Sequence, residues 1–418
     1  MIELCLFDLD DTLLRTGDLQ GLREACANNA DRSNLDRVRS QFGTQERAVY
    51  STNELLAIRQ KFPQLKMGVF TRSPRSYTNL ILELAYPTFA WDIVIAHEDV
   101  QNTKPHGDGI IQAMDHFNLE YLDNVVLVGD SSVDIKASYN CGCYAALESR
   151  AWPPKRSTDN WNALSLMPDA LLSDSESLSH FLEEPFPFFP KLESIMVEEE
   201  AKYPRHSRFD KINHFIPKSI GGDTTAYPIF ASGRSFANYP SLAERKKWHP
   251  LTKAIAEHKD ANKFPDSWIQ TVRSFISLEF IELHFGASTQ LIVTSIPHRP
   301  GRTPRLEQFL AQFGQSLIDK PMRTSRISVE PGMFRYTDGV RSHHTEHLDR
   351  PTRFANVRDH LIVAKPELAA PGNSFLIIDD VTTTGASLIY AREYLRQAGA
   401  RDVKCLSMAK NISNVLGE

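Results

Sequence analysis

The stretch LFDLDDTLL, Leu6–Leu14, runs from an apolar segment into three acids, Asp8, Asp10 and Asp11, and then back to leucine. Carboxylates this close repel one another, and burying them without a cation is costly. A strand that ends this way calls for positive charge at its tip. The search for that charge leads outward along the chain.

Three more stretches, each following an apolar strand or opening a helix, carry polar groups suited to the same task. KMGVFT ends at Thr71, NTKPHGDG carries Lys104, and NVVLVGDSSVDIKAS carries Asp130 and Asp134. Helix-like stretches such as STNELLAIRQKF and DGIIQAMDHFNL lie between the runs. Alternating strand and helix imply a parallel sheet with helices on both faces, and such sheets gather ligands beyond the carboxyl ends of their strands. Several carboxylates, a hydroxyl and a lysine suit Mg²⁺ and a phosphoryl group, because Mg²⁺ takes hard oxygen ligands. Plainer roles compete for some of these residues. Asp11 and Thr12 also suit a turn cap, and Asp134 suits a helix surface.

The ordered set DxDxT, Thr71, Lys104-Pro105 and GDxxxD resembles the haloacid dehalogenase superfamily over about Met1–Glu184. The resemblance implies that Asp8 is a nucleophile forming an aspartyl-phosphate and that Asp10 is the general acid and base. It places Thr71 on the phosphoryl oxygens and Lys104 against the nucleophile and phosphate. Mg²⁺ would be held by Asp8, the Asp10 carbonyl and Asp130, with Asp134 in support. The short span between Leu14 and Thr52 leaves room for one or two short helices as a small cap.

A second phosphate-binding pattern lies far downstream. FLIIDDVTTTGAS, Phe375–Ser387, places Asp379 and Asp380 at a strand end and small hydroxylic residues at a helix start. Backbone N–H groups in such a loop can approach an anion, and Gly385 permits the tight turn. The stretch resembles the phosphoribosyl pyrophosphate signature of type I phosphoribosyltransferases. QLIVTSIPHRPGR and RPTRFANVRDHLIV, with Arg353 and Asn356, extend the likeness toward the competence-protein F branch, but without an upstream zinc-type cysteine cluster. The resemblance implies ribose contacts from Asp379 and Asp380. Thr383, Thr384, Gly385, Ala386 and Ser387 would hold the 5′-phosphate, with Thr382 as a further contact to phosphoribosyl pyrophosphate. Thr294, Ser295 and Ile296 would meet pyrophosphate, with Arg299, Arg302 and Arg305 as possible cationic contacts.

The expected fold is therefore α/β, with two doubly wound parallel-sheet, Rossmann-like domains. Residues 1–184 form the first, with its small cap, and 226–418 the second. The proline-rich EEPFPFFPKLE opens a linker over 185–225, and His298 to about Arg358 reads as a loop-rich basic region. Within it RSHHTEH, with His343, His344 and His347, lacks companion ligands at a metal spacing and reads as a polar loop that closes over substrate.

With 418 residues, 41% hydrophobic and 24% charged, and a formal net charge of −5, the composition is that of a globular protein. The acidic balance argues against a general nucleic-acid binder. The five cysteines, Cys5, Cys26, Cys141, Cys143 and Cys405, form no disulfide framework. No apolar run approaches the roughly 20 residues of a membrane span, and the first residues do not read as a signal peptide, which points to the cytoplasm.

The two resemblances together suggest a bifunctional nucleotide-metabolism enzyme. It would hydrolyse a phosphomonoester and transfer phosphoribosyl from phosphoribosyl pyrophosphate to a base, consecutively if the steps pair, giving a nucleoside-like product. Alternatives stay open: separate branches of salvage or repair, a phosphatase with a non-catalytic sensor of the donor, or a role in DNA uptake. The oligomeric state is open too, a homodimer included.

Overall fold

The computed structural model describes residues 1–198, 200–258, 263–285, 290–322, 326–341, 348–413 and 415–417. In the N-terminal half, six strands form one parallel sheet: β1 (Leu4–Phe7), β2 (Lys66–Phe70), β3 (Ile93–Ile95), β4 (Val125–Gly129), β5 (Tyr144–Glu148) and β6 (Ala170–Leu172). Their order is β3-β2-β1-β4-β5-β6. All four residues of β1 are buried, as a strand covered on both faces requires. Leu4 and Leu6 pack with Phe70 and Leu127 on one face, while Cys5 and Phe7 pack with Val69 and Val126 on the other. Leu4 pairs with Lys66 of β2 and with Val125 of β4, so the ends of these three central strands lie side by side. The order reverses at β1, and that switch point is where open α/β sheets bind ligands.

Two short helices, Gln20–Asn28 and Arg32–Phe42, form the small cap expected between Leu14 and Thr52. Arg47 anchors its base through a two-pronged pair with Asp18, at 2.6 and 2.9 Å.

The second half is built on β7 (Asp210–His214), β8 (Tyr227–Ala231), β9 (Arg234–Phe236), β10 (Gln290–Ser295), β11 (Ile327–Val329), β12 (Phe334–Tyr336), β13 (Leu361–Val363), β14 (Asn373–Thr382) and β15 (Asp402–Ile412). Its main sheet runs β11-β10-β14-β15-β8-β7, with β9 also paired to β15. Most pairs are parallel, but β7 and β8 are antiparallel, so this sheet is mixed and departs from the all-parallel expectation. A two-residue-periodic strand, with Asp210, Ile212 and His214 inward and Lys211 and Asn213 outward, runs back along β8 and supplies that edge.

Two other expectations need correction. The segment 185–225 is not a free linker. It holds the helix Lys191–Met196, whose Leu192 and Glu193 are buried, and β7 itself. The His298–Arg358 region is not mainly loop. It contains the amphipathic helix Arg305–Asp319, which buries Leu306, Phe309, Leu310 and Phe313 at helical spacing. The helix Arg350–His360 follows later in the chain. The histidine cluster His343, His344 and His347 lies outside the described residues.

Buried ions join the halves. Asp169, in the turn before β6, takes a hydrogen bond from Arg234 of β9 at 2.8 Å and pairs with Arg245. Arg234 also reaches Glu193 through Nε at 3.0 Å and the Tyr139 hydroxyl at 3.0 Å. His249 lies 3.2 Å from Glu193. Burial alone would raise Asp169 and Glu193, yet Arg234, aided by Arg245 and His249 respectively, holds both acids below the usual carboxylate range. All five cysteines are free and buried. Among the described residues no helix is long and apolar enough to cross a membrane.

Candidate functional site

The strand order carries Asp8, Thr71 and Asp130 to one edge of the first sheet, at the ends of β1, β2 and β4. They border a cavity of 780 Å³ together with Asp10, Lys104 and Asp134. Lys104 lies at its floor, almost fully buried, and donates to Asp8 Oδ1 and Asp134 Oδ1 at 2.6 Å each. Asp134 opens the helix Ser132–Cys141, where its other oxygen accepts from the Ser131 N–H at 3.1 Å. That contact answers the reading of Asp134 as a surface residue, since the side chain is buried.

One carboxylate oxygen from each of Asp8, Asp130 and Asp134 falls within 4.8 Å of the others. Burial raises Asp8, an effect Lys104 opposes and Asp134 and Asp10 reinforce. Burial likewise lifts Asp130 well above the carboxylate range, with Asp134 and Asp8 adding repulsion. Burial works against the charge of Lys104, but Asp134 and Asp8 outweigh it and raise the ammonium. One lysine thus leaves the cluster short of positive charge. Hard oxygen donors this close together, two of them lifted out of their ordinary range, fit a small divalent cation.

The side chain of Asp10 stands apart from that trio. It accepts from Thr16 Oγ1 at 2.6 Å, from the Tyr77 hydroxyl at 3.0 Å and from Ser73 Oγ, and pairs with Arg23 of the cap at 2.9 Å. The Asp10 carboxylate is thus outside the acid trio and is engaged by Arg23 of the cap. Asp11 takes a left-handed backbone, φ 55°, and its Oδ1 accepts from the Thr16 N–H at 3.0 Å, so its turn-capping role holds. Thr12 donates to Asp130 Oδ1 at 3.3 Å. Thr71 Oγ1 accepts from the Ser73 N–H at 3.1 Å and remains on the cavity wall.

Arg23, Arg72, Ser73, His97 and Trp152 also line this cavity and were not singled out from the sequence. Their one sequence signal is nearness to the motifs. Ser73 follows Thr71 by two residues, and Arg23 lies in the span between Leu14 and Thr52 expected to form the cap.

In the second half, β14 runs past the acid pair to Thr382, which pairs with Lys410. Asp379 and Asp380 are thus inside the strand and do not end it. A cavity of 370 Å³ brings them together with Ile296, Arg302 and Arg305. Arg305 pairs with Asp380 at 3.0 Å. Burial and Asp380 push the Asp379 carboxyl up. Arg299 turns its Nη1 to the Arg341 carbonyl at 2.8 Å and lies 5.8 Å from the Tyr336 ring. Thr294, Ser295 and Thr382 are buried, each with a side-chain hydroxyl that has no hydrogen-bond partner among the described residues. The loop Thr383–Ser387 lies outside the cavity lining. Within it Gly385 has φ 80° and caps the helix Ala386–Gln397, and Ser387 Oγ lies 3.4 Å from the Tyr336 hydroxyl. Arg353 donates to the Leu348 carbonyl at 2.7 Å, and Asn356 accepts from the Arg341 N–H at 2.9 Å, so both brace the fold locally.

Residues 53–147 match the family model of the haloacid dehalogenase-like hydrolases. The N-terminal region thus contains a haloacid dehalogenase-like hydrolase domain. The phosphoglycolate phosphatases of Escherichia coli (strain K12) and Shigella flexneri are each 32% identical over 79 residues, 19% of this chain and 31% of theirs. The chain spans about a third of the length of these curated relatives. Among solved structures, CbbY from Rhodobacter sphaeroides in complex with phosphate aligns at 17% identity and TM-score 0.30, covering 43% of this chain and 96% of that one. A 2-haloacid dehalogenase from Pseudomonas syringae pv. tomato DC3000 aligns at 18% identity and TM-score 0.30, covering 44% and 99%.

Proposed function

We propose that the Asp8 cavity hydrolyses phosphomonoesters through an aspartyl-phosphate. The observation that carries this reading is the buried Lys104 bridging Asp8 and Asp134 beside the acid trio. Lys104 holds Asp8 Oδ1, which leaves Oδ2 to attack phosphorus. As that bond forms, the bond from phosphorus to the leaving oxygen breaks, and Asp10 supplies the leaving oxygen with a proton. Asp10 then takes a proton from water, which attacks the acyl-phosphate, releases phosphate and restores Asp8. Asp10 must give up part of its present bonding to reach the leaving group, and the Arg23 pair is its partly exposed contact. Asp8, Asp130 and the Asp10 carbonyl would hold Mg²⁺, with Asp134 in support. The ion would offset the charge that gathers when a phosphoryl group joins these acids.

The second cavity supports phosphoribosyl pyrophosphate as its ligand, with transfer to a base. Paired acids stand there beside Arg302 and Arg305, and the Gly385 loop opens a helix. An N-ribosyl 5′-monophosphate made at one site is the kind of ester the other cleaves, so the two steps would yield a nucleoside-like product. The test incubates the protein with Mg²⁺, phosphoribosyl pyrophosphate and a metabolite extract, and follows new ribosylated species by mass spectrometry. Asp8→Asn should accumulate a 5′-monophosphate, and Asp379→Asn/Asp380→Asn should form neither that nor its dephosphorylated product. Failure of wild type to hydrolyse any of a panel of nucleoside monophosphates would refute the pairing.

A further inference from the structure

The Asp8 cavity continues past its own wall. Trp152, half-buried there, also lines a neighbouring cavity of 470 Å³. That cavity shares Arg156, Leu164, Leu171 and Arg208 with a third, of 560 Å³, to which Trp161 and Lys211 belong. The three form one groove along the junction of the halves, where the helix Thr158–Ser165, carrying Trp161, packs on β7, carrying Lys211. Trp152 donates its Nε1–H to the Asp130 carbonyl at 3.1 Å, which fixes its ring beside the acid trio. Arg156 lies against both indoles, its guanidinium carbon 6.0 Å from the Trp152 ring centre and 5.1 Å from that of Trp161. A guanidinium stacked this way keeps its in-plane N–H groups free to donate. Arg156 and Lys211 are both exposed, and neither has a carboxylate partner among the described residues. The acids of these two outer cavities are already engaged. Asp210 pairs with Arg208 at 2.9 Å, and Asp174 Oδ1 accepts from the Glu176 and Ser177 N–H groups at 3.0 and 2.8 Å. Trp161 leaves 42% of its surface to solvent. Two indoles and two unanswered cations, in a groove opening on the Asp8 cavity, complement an occupant that is flat and anionic.

We propose that this groove binds the leaving group of the phosphatase substrate, a phosphomonoester that carries a flat ring near the ester and a second anionic group beyond it. A phosphorylated dinucleotide has that order. Its first base would meet Trp152, its phosphodiester Arg156, and its second base the exposed face of Trp161, with Lys211 adding positive charge at the far end. The net charge of −5 disfavours a long polyanion, so the occupant is short. The inference rests on the phosphatase reading of the Asp8 cavity and is independent of any phosphoribosyl transfer in the second half.

Steady-state hydrolysis at saturating Mg²⁺ tests it with p-nitrophenyl phosphate as the baseline, adenosine 5′-monophosphate as a ring without a second anion, and 5′-phosphorylated diadenylate. Wild type should release the terminal phosphate of the dinucleotide with kcat/KM at least about tenfold above that for the monophosphate. Arg156→Gln should remove most of that preference by raising KM for the dinucleotide at least about fivefold, with kcat unchanged. Its turnover of p-nitrophenyl phosphate should match wild type, which also shows that the variant folds. Arg156→Lys should keep part of the preference, and added salt should erode it in wild type. Equal kcat/KM for the two nucleotides in wild type would overturn the groove assignment and leave the phosphatase reading standing, provided p-nitrophenyl phosphate is cleaved. A preference that survives Arg156→Gln combined with Lys211→Gln would overturn it too. Wild type that cleaves none of the three esters would overturn both.

Discussion

Lys104→Met removes the cation that the structure places between Asp8 and Asp134. Lys104 is buried and makes two charge-assisted hydrogen bonds, to Asp8 and Asp134. Hydrogen bonds to charged groups contribute about 1.5–3 kcal/mol each. Losing two costs about 3 kcal/mol at the low end, which is about two orders of magnitude in rate. Hydrolysis of p-nitrophenyl phosphate at saturating Mg²⁺ should therefore fall about 10²–10³-fold in kcat. Lys104 also holds Asp8 down against burial, so its removal should move the acidic limb of the rate profile to higher pH. Steady-state rates between pH 5 and 9 measure both effects, and a Mg²⁺-induced rise in melting temperature shows that the variant is folded. A variant within about fivefold of wild type, with its acidic limb in place, would refute the argument that Lys104 orients and neutralises the nucleophile.

Metal-free protein should lose stability as pH rises. Burial raises Asp8 to about 7 and also lifts Asp130 well above its ordinary value, so between about pH 4 and 7 the folded state binds more protons than the unfolded one. Melts in chelator should fall from pH 5 to 7.5, and Mg²⁺ should raise the melting temperature more at 7.5; equal shifts at both pH values would argue against a metal in the trio. Arg234→Met orphans Asp169 and Glu193 in part and should cost about 3–5 kcal/mol in urea unfolding. Adding Glu193→Gln to it should cost less than the sum of the two single changes. Gly385→Ala places a Cβ 2.8 Å from His214 at φ 80°, which should cost about 1–3 kcal/mol and weaken ribose 5-phosphate binding; wild-type stability would refute the loop geometry.

The first sheet was legible because its polar groups stand where apolar strands stop. Asp8, Thr71 and Asp130 needed no contact information to be assigned to one edge, since a parallel sheet sends all its strand ends the same way. What surrounds Asp10 was not legible. Tyr77, Ser73 and Arg23 come from a helix, a loop and the cap, and only packing brings them to one carboxylate. The strand Asp210–His214 escaped notice because two of its three inward positions are Asp210 and His214, which blur the apolar alternation. In helix Arg305–Asp319 the apolar spacing was present in the sequence, but the arginines before it drew the reading toward loop. Asp379 and Asp380 were expected to end their strand, yet the strand continues through them to Thr382 because β15 offers pairing as far as Lys410.

Asp169 belongs to one half of the chain, while both of its arginines belong to the other. A cut anywhere between residues 185 and 225 would therefore leave Asp169 on the N-terminal fragment, parted from Arg234 and Arg245 on its counterpart. Fragments expressed singly should be poorer folders than their tidy sheets suggest, and mixing them should restore what neither holds alone. The buried ion pairs tie the two halves together, and laboratory dissection should proceed by silencing side chains in the intact chain.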